Sequence, residues 1–397
     1  MNNKLYWVWL SLALGYQQHS VALIYNIYKD ISIFYNGKEF EWGFCGLFSN
    51  AELNKLRKTS LADAQNVIDR CNLLGIEIIS IEDDSYPQNL REIYAPPAVL
   101  YVKGNMPNFN SVLSLSVVGT RKATQYGIKV AFDFSYNISK YGVIIVSGGA
   151  LGIDSSAHNG ALRSSGTTVC VLGCGIEYDY LRQNKSMREA ITVSGCVISE
   201  YPPDTPSYPY NFPARNRIIS ALSRGILVVE AGESSGSLIT ANIAIEQGKD
   251  VFAVMGNVDS PMSRGSNKLI KEGAVPVCNY RDILEYYGFD KIPLNDDVTD
   301  FGDILDDIQV KKTTDNKLPK NKEVSKGEVN LKPVHRTDLE LDEIENQIYM
   351  ALNSDAIHID DLAAKLGMPV FRILPIMTNL ELMGIIENTG SRCYKIK

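Results

Sequence analysis

Short apolar runs alternate with helical patterns across residues 113–278, and this alternation limits the fold more than any other feature of the 397-residue chain. The runs are rich in β-branched residues and end at glycine or small polar residues, as strands buried on both faces do. We predict strands at Val112–Val118, Val143–Ser147, Thr167–Leu172, Cys196–Ser199, Gly225–Glu230 and Asp250–Val254. Helical patterns lie between them, near residues 124–140, 153–164, 183–193, 215–223 and 236–248. This order predicts an α/β fold whose parallel sheet carries helices on both faces.

The segments outside this region differ from it in composition. Residues 1–84 have helical periodicity and predict a helical domain, followed by the α/β core at 85–290. Residues 291–338 combine an aspartate-rich part with a lysine-rich part and predict a charged flexible linker. Residues 339–397 contain three helical segments, Glu340–Leu352, Ile359–Leu366 and Val370–Met383, and then a hairpin pattern. Three helices followed by a hairpin predict a winged-helix domain.

Cysteine and histidine usage indicates a reducing compartment and no structural metal. The chain has seven cysteines and four histidines, and none of the cysteines are spaced as a C-x-x-C pair. The apolar run Leu5–Leu14 imitates a signal peptide, but it lacks a cleavage site and is too short to span a bilayer. We therefore expect a cytoplasmic protein that does not enter a membrane.

Glycine and arginine residues follow the first two predicted core strands. Gly119 and Arg121 end the first strand, and Ser147, Gly148 and Gly149 end the second. Ligands of parallel sheets bind outside the carboxyl ends of the strands, where glycines admit a phosphate to the backbone and arginine pairs with it. An ordinary strand-to-helix turn with a solvated arginine is the alternative. The G-G-x-x-G spacing, with no acidic residue after the next strand, disfavours a dinucleotide site.

Two further segments add candidate contacts. Arg215, Asn216 and Arg217 open a predicted helix after an aromatic- and proline-rich loop, a combination suited to a phosphodiester backbone with stackable bases. A salt-bridged helix start is the alternative here. The second segment is a small-residue turn of Ser235, Gly236 and Ser237, to which Lys268 can add charge. A plain capping loop is the alternative for this turn.

The same survey finds no set of side chains arranged for catalysis. Asp154, Ser155 and His158 lie within five residues on one predicted helix, where they cannot converge as nucleophile, base and orienting group. A histidine that lies on the helix surface or is packed in the core is the better interpretation of His158. Phosphate-binding loops and arginines without a nucleophile or general base predict a binding site, with no cofactor and no metal, and a protein that is not an enzyme.

Taken together, these motifs resemble the DprA/Smf DNA-processing family. The matching segments run in order over roughly residues 80–280: Tyr86-Pro87, PAVLYVKG, VGTR, SGGALGIDSSAH, FPARNRIIS, VVEAGESSGSLITA and VFAVMGNVDSPMSRGSNKLIKEGA. The helical N-terminus and the predicted winged helix resemble the optional SAM-like and DprA-type winged-helix modules of the family. Met255 departs from the family, which commonly has proline there.

The resemblance implies an extended Rossmann-like core that binds and protects incoming single-stranded DNA. It also implies a homodimer formed through that core, which loads a RecA-type recombinase during natural transformation. Carried over by motif, the DNA-binding residues are Gly119, Arg121, Ser147, Gly148, Gly149, Arg215, Asn216, Arg217, Ser235, Gly236, Ser237 and Lys268.

Two other classes of function stay open from the sequence. A nucleotide-binding enzyme of the lysine-decarboxylase-like Rossmann group shares the glycine loops, but GESSGSLITA does not match that group's motif. A winged-helix regulator would read duplex DNA, yet residues 341–397 hold five basic and eight acidic residues, so contact with protein is favoured.

The net charge of −7 argues against non-specific coating of nucleic acid. Residues 111–280, however, hold 15 Lys and Arg against 13 Asp and Glu, a net charge of +2. The acidity therefore lies in the flanking segments, and the core keeps a confined basic site.

Overall fold

A nine-stranded sheet forms the centre of the larger of two units in this structure, a computed structural model. The structure describes residues 3–44, 46–289, 348–352, 357–366, 368, 373, 376–377, 380, 386–390 and 393–396. The larger unit is residues 1–296 and the smaller one residues 297–397. The predicted linker 291–338, and most of the helices predicted at Glu340–Leu352 and Val370–Met383, lie outside the described residues.

The sheet is mainly parallel. The strands are β1 (Glu77–Ser80), β2 (Val99–Gly104), β3 (Ser114–Val118), β4 (Ile144–Ser147), β5 (Thr168–Leu172), β6 (Cys196–Ser199), β7 (Gly225–Val228), β8 (Asp250–Val254) and β9 (Val275–Val277). Their order in the sheet is β1-β2-β6-β5-β4-β3-β7-β8-β9. The strands β3 to β9 pair with one another in parallel, and the pairs β1–β2 and β2–β6 are antiparallel. The six predicted core strands are confirmed to within two residues.

Helices cover both faces of the sheet, as predicted. Ile145 of β4 packs with α7 and α8 in one core, whereas Ile144 and Val146 on the other face join a core that contains residues of α10. The helices of this region are α6 (Gln88–Arg91), α7 (Gln125–Ser139), α8 (Ile153–Arg163), α9 (Lys185–Ser194), α10 (Asn211–Ala221), α11 (Gly236–Glu246), α12 (Arg264–Lys271) and α13 (Tyr280–Tyr286). The α/β class with a large parallel sheet is therefore confirmed.

Helix α10 begins four residues before the predicted start at residue 215. The prediction treated Pro213 as part of the preceding loop. Proline is tolerated in the first turn of a helix, where the N–H groups have no partner within the helix. The motif arginines consequently lie in the middle of the helix and not at its start.

Five helices precede the sheet: α1 (Asn3–Leu14), α2 (Ser20–Ile27), α3 (Ile31–Phe44, interrupted at Lys38), α4 (Asn50–Lys58) and α5 (Leu61–Leu74). Capping boxes start α4 at Ser49 and α5 at Ser60. The buried Trp7 and Trp9 of α1 share one hydrophobic core with Leu100 of β2. Since β1 lies before residue 84 and pairs with β2, the helical region and the sheet are continuous in packing.

The smaller unit contains β10 (Ile357–His358), α14 (Ile359–Leu366), β11 (Ile386–Gly390) and β12 (Cys393–Ile396). These strands form a three-stranded antiparallel sheet in the order β10-β12-β11. Its hydrophobic core includes Leu362, Ile386 and Tyr394. The predicted second helix and the terminal hairpin are confirmed. Separately, no helix in the described part of the chain is long and apolar enough to cross a membrane.

Candidate functional site

The loops that follow β3, β4 and β7 meet at the carboxyl edge of the sheet. The Thr120 N–H after β3 donates to the Glu230 carbonyl oxygen after β7, at 2.8 Å. The Ile153 N–H, at the start of α8, donates to the Thr120 carbonyl oxygen at 3.3 Å. These main-chain bonds bring together the segments that the sequence predicted separately.

The loop between β4 and α8 depends on two glycines with positive φ. Gly149 has φ +67°, and Gly152 has φ +77°. A Cβ at Gly152 would lie 2.5 Å from the Thr120 carbonyl oxygen and 2.8 Å from that of Arg121. Gly152 therefore allows this loop to pack directly against the backbone that carries Arg121.

Arg121 is exposed at this edge, beside exposed Lys122, which the sequence survey did not single out. Its guanidinium carbon lies 5.5 Å from the centroid of the Phe212 ring, within the range of a cation–π contact. The Tyr180 ring packs on the same phenylalanine, with 5.2 Å between centroids. The site therefore joins an exposed cation to an aromatic cluster.

The helices at this edge differ in how their first turns are capped. Thr124 accepts from the Gly127 N–H at 3.1 Å, and the Glu230 carboxylate accepts from the Thr124 N–H at 2.9 Å. The start of α7 is thus already next to a carboxylate, which argues against an anion in that position. Helix α8, in the described chain, starts after Gly152 with no side-chain cap.

Arg215 lies beneath the loops and is only 4% exposed. Its guanidinium donates to the Gly148 carbonyl oxygen at 2.8 Å and also to the Val171 carbonyl oxygen at the end of β5. Burial lowers the pKa of Arg215, which the nearby Asp154 carboxylate opposes, and burial raises the pKa of Asp154. Arg215 therefore supports the β4–α8 loop from inside the protein.

Arg217 is also buried, and it joins three parts of the chain. It pairs with the Glu200 carboxylate at 2.6 Å and donates to the carbonyl oxygens of Ala95 and Ala214 at 2.9 and 3.2 Å. For Arg217, the structure therefore shows the salt bridge that the sequence analysis left open as the alternative to DNA contact. Asn216, between the two arginines, is partly exposed.

Ser147 and Gly119 serve packing at the strand ends. The buried Ser147 hydroxyl donates to the Val117 carbonyl oxygen at 2.7 Å, which ties β4 to β3. A Cβ at Gly119 would lie 2.5 Å from the Ile153 side chain. Gly119 therefore permits the close approach of α8.

The turn after β7 caps α11. The Ser235 hydroxyl accepts from the Ser237 N–H at 3.4 Å; Ser237 is buried, while Gly236 is exposed. Lys268 is exposed on α12, and its ammonium lies 3.7 Å from the Glu272 carboxylate on the same helix. The Ser235–Ser237 turn follows Glu230 in the loop after β7, and the Glu230 carbonyl oxygen accepts from the Thr120 N–H. The turn therefore lies at the same edge of the sheet as Thr120.

Two contributions to the site depend on contacts that the sequence does not show. The Asn184 amide donates to the Gly149 carbonyl oxygen at 3.0 Å from a segment that carries no motif. Residues 201–210, which we call the aromatic loop, end in Tyr208 and Tyr210, whose rings stack at 5.5 Å and 7° and are 43% and 69% exposed. The aromatic composition of this loop was visible in the sequence, but the stacking was not.

Of the two interpretations left open for His158, the structure shows a packed histidine and not one on the helix surface. It is fully buried, its Nδ1 lies 2.8 Å from the Thr168 hydroxyl, and burial lowers its pKa to about 3. It is therefore neutral near pH 7 and away from Ser155, whose hydroxyl donates to the Gly152 carbonyl oxygen at 3.3 Å. Within the described residues, no cluster of three or more His, Cys, Asp or Glu side chains could hold a metal ion.

Comparison with known proteins gives two family matches along this chain. A family model described as DNA recombination-mediator protein A matches residues 77–288, and one described as the DprA winged helix domain matches residues 332–390. The second match supports the predicted winged helix.

Individual relatives show the same similarity. DNA processing protein DprA of Bacillus subtilis is 42% identical over 211 residues, which is 53% of this chain and 71% of that protein. Protein Smf of Synechocystis is 32% identical over 322 residues, 80% of each chain. The X-ray structure of DprA from Streptococcus pneumoniae is 33% identical, with a TM-score of 0.63, covering 72% of this chain and 98% of that one.

Proposed function

Because this chain belongs to the DprA/Smf family of DNA-processing proteins, we propose that it binds single-stranded DNA at the carboxyl edge of its sheet. The observation that carries the proposal is the exposed Arg121 guanidinium held over the Phe212 ring beside the glycine loop. Arginine pairs with phosphate through paired N–H donors, and aromatic rings accept unpaired bases. Both kinds of contact that a single strand offers are thus available within one edge.

The candidate residues divide into two groups in this proposal. Arg121, Asn216, Gly236 and Lys268 are at least partly exposed and contact the DNA, whereas Gly148 and Gly149 are buried and shape the loop beside Arg121. Gly119, Ser147, Arg215 and Arg217 shape the loops from below, and Ser235 and Ser237 cap α11. Tyr208 and Tyr210 join the first group, since their stacked rings are exposed.

We further propose that the protein acts in the cytoplasm, protects incoming DNA and loads a RecA-type recombinase during transformation. The family model's description as a recombination mediator supports this role, as do the acidic segments that flank the basic core. We also propose a homodimer through the core, as the resemblance to the family implies. The acidic winged helix then contacts protein and not DNA.

Titration with single-stranded DNA, duplex DNA and nucleotides at two salt concentrations tests the proposal. We expect tighter binding of the single strand, and an affinity that falls as salt rises, since phosphate contacts release counterions. Tight nucleotide binding with turnover would instead identify an enzyme. Equal affinity for duplex and single strand would contradict the proposed use of stacked bases.

A further inference from the structure

The N-terminal helices contact the aromatic loop at two places. Arg70 of α5 donates from Nε and Nη2 to the two carboxylate oxygens of Asp204, at 2.9 and 3.0 Å. Tyr16, just after α1, packs edge-on against Tyr201, with 4.4 Å between ring centroids. Two helices from the N-terminal region therefore reach one loop of the core.

The aromatic loop is tied in turn to the candidate DNA site. The Pro203 carbonyl oxygen accepts from the Glu177 N–H at 2.9 Å, and that of Thr205 accepts from the Gly175 N–H at 2.8 Å. The segment bonded in this way leads to Tyr180, which packs on Phe212 below Arg121. At its other end the loop continues into the exposed pair Tyr208 and Tyr210.

The contact with α5 is not a continuous packed surface. An open surface groove of about 370 Å³, here called the cavity, lies between α5 and the loop, lined by Asn66, Val67, Arg70, Pro202, Pro203, Asp204 and Thr205. Because the cavity separates the two elements, the Arg70–Asp204 pair bridges them with two parallel hydrogen bonds, a geometry that fixes orientation as well as distance. Prolines 202, 203, 206 and 209 limit the conformations of the loop, so holding one point constrains the rest.

We propose that Arg70 and Asp204 are positioning residues: the pair holds the aromatic loop so that Tyr208 and Tyr210 face the bases of bound DNA. This inference rests on the proposed binding of single-stranded DNA. It gives the N-terminal helices a role in the affinity of a site to which they contribute no contact of their own.

A double-mutant cycle in the full-length protein tests the pair. The variants are Arg70→Ala, Asp204→Ala, the double alanine variant, and the exchange Arg70→Asp with Asp204→Arg. The probe is a fluorescent oligothymidylate, and a second oligothymidylate carries 2-aminopurine, whose emission is quenched when it stacks on an aromatic ring. Arg57→Ala is the matched control, since Arg57 hydrogen-bonds Asn54 on its own helix α4 and carries the same charge.

We expect each single variant to bind about threefold more weakly, with less 2-aminopurine quenching at saturation. The double variant should be no weaker than either single variant, and the charge exchange should restore both readouts. Melting temperatures should stay within about 2 °C, because both side chains are largely solvated. The inference would be overturned if the single variants bind DNA and quench 2-aminopurine as the parent protein and Arg57→Ala do. It would also be overturned if the double variant loses the sum of the affinities lost by the two single variants. A parent protein that binds no single strand would refute the proposed function instead.

Discussion

At the residue scale, three arginines that the sequence placed in one predicted site lie in three environments. Arg121 is exposed over Phe212, Arg215 is buried against main-chain carbonyl groups, and Arg217 is paired with buried Glu200. The motifs predicted all three arginines as DNA contacts, but the burial of each side chain depends on long-range packing that no local sequence pattern carries. Of the three arginines, only Arg121 is therefore exposed enough to contact a phosphate directly.

Replacing Arg121 by alanine should weaken single-strand binding by about tenfold and reduce the slope of log affinity against log salt by about one. The reason is the loss of one exposed phosphate contact, with the fold left intact. Fluorescence anisotropy over a salt series measures both quantities. Arg163→Ala is the control. Arg163 is exposed at the end of α8, and its replacement removes the same charge. An equal loss in both variants would show that only overall charge matters.

His158 provides a test of burial through pH. In the native state the imidazole stays neutral, since burial lowers its pKa to about 3. In the unfolded chain it takes up a proton below its ordinary pKa of about 6.5. Between these pH values the unfolded state binds the extra proton, so falling pH favours unfolding through this residue.

Accordingly, lowering the pH from 7 to 5 should decrease the free energy of unfolding of the parent protein by about 2 kcal/mol more than that of the His158→Gln variant. Glutamine can still hydrogen-bond Thr168 but does not titrate. Urea denaturation at both pH values gives the comparison. Carboxylates that titrate in this range act equally in both proteins and cancel. Identical losses would mean that His158 reaches solvent in the native state.

At the scale of single elements, the sequence predicted best where both faces of a strand are buried. β3 to β8 consist mainly of apolar residues and are buried almost throughout, as strands covered on both faces are. β2 and β9 were not among the predicted strands, because β2 follows a proline pair and β9 contains Pro276. Their pairing is set by neighbours in the sheet, at an antiparallel extension and at an edge, where proline is tolerated.

The packing of the β4–α8 loop against the backbone of Thr120 and Arg121 can be tested at Gly152. Gly152→Ala should destabilise the protein by about 2 kcal/mol more than Gly248→Ala, and it should also weaken DNA binding. Both glycines have positive φ, +77° and +67°, so the backbone strain is shared. Only at Gly152 would the new Cβ press on the carbonyl oxygens of Thr120 and Arg121; at Gly248 it would meet no described heavy atom within 4 Å.

Urea denaturation and DNA titration of the two glycine variants separate strain from steric contact. Equal destabilisation would show that the loop moves away from Thr120 without cost. A Gly152→Ala protein that is less stable but binds DNA normally would show that the β4–α8 loop does not take part in DNA binding.

At the scale of the whole molecule, the sequence predicted the order of the regions, but not how the first two combine. The helical periodicity of residues 1–84 predicts a helical domain. Its Trp7 and Trp9 share a core with Leu100 of β2, and Arg70 reaches the aromatic loop. Such contacts join residues 134 positions apart, which a pattern read along the chain cannot reveal.

The winged helix, by contrast, belongs to a separate unit, and its removal gives the last prediction. Every candidate DNA contact lies in residues 1–296, which form one unit, and residues 341–397 carry more acidic than basic residues. Deleting residues 339–397 should therefore change single-strand affinity by no more than about twofold and leave the salt slope unchanged. Anisotropy titration of the truncated and full-length proteins measures this, with circular dichroism melting to confirm that the truncated protein folds. If the truncated protein folds but its affinity falls tenfold or more, the winged helix contacts DNA. A local group of basic residues within this acidic segment would then have to make that contact.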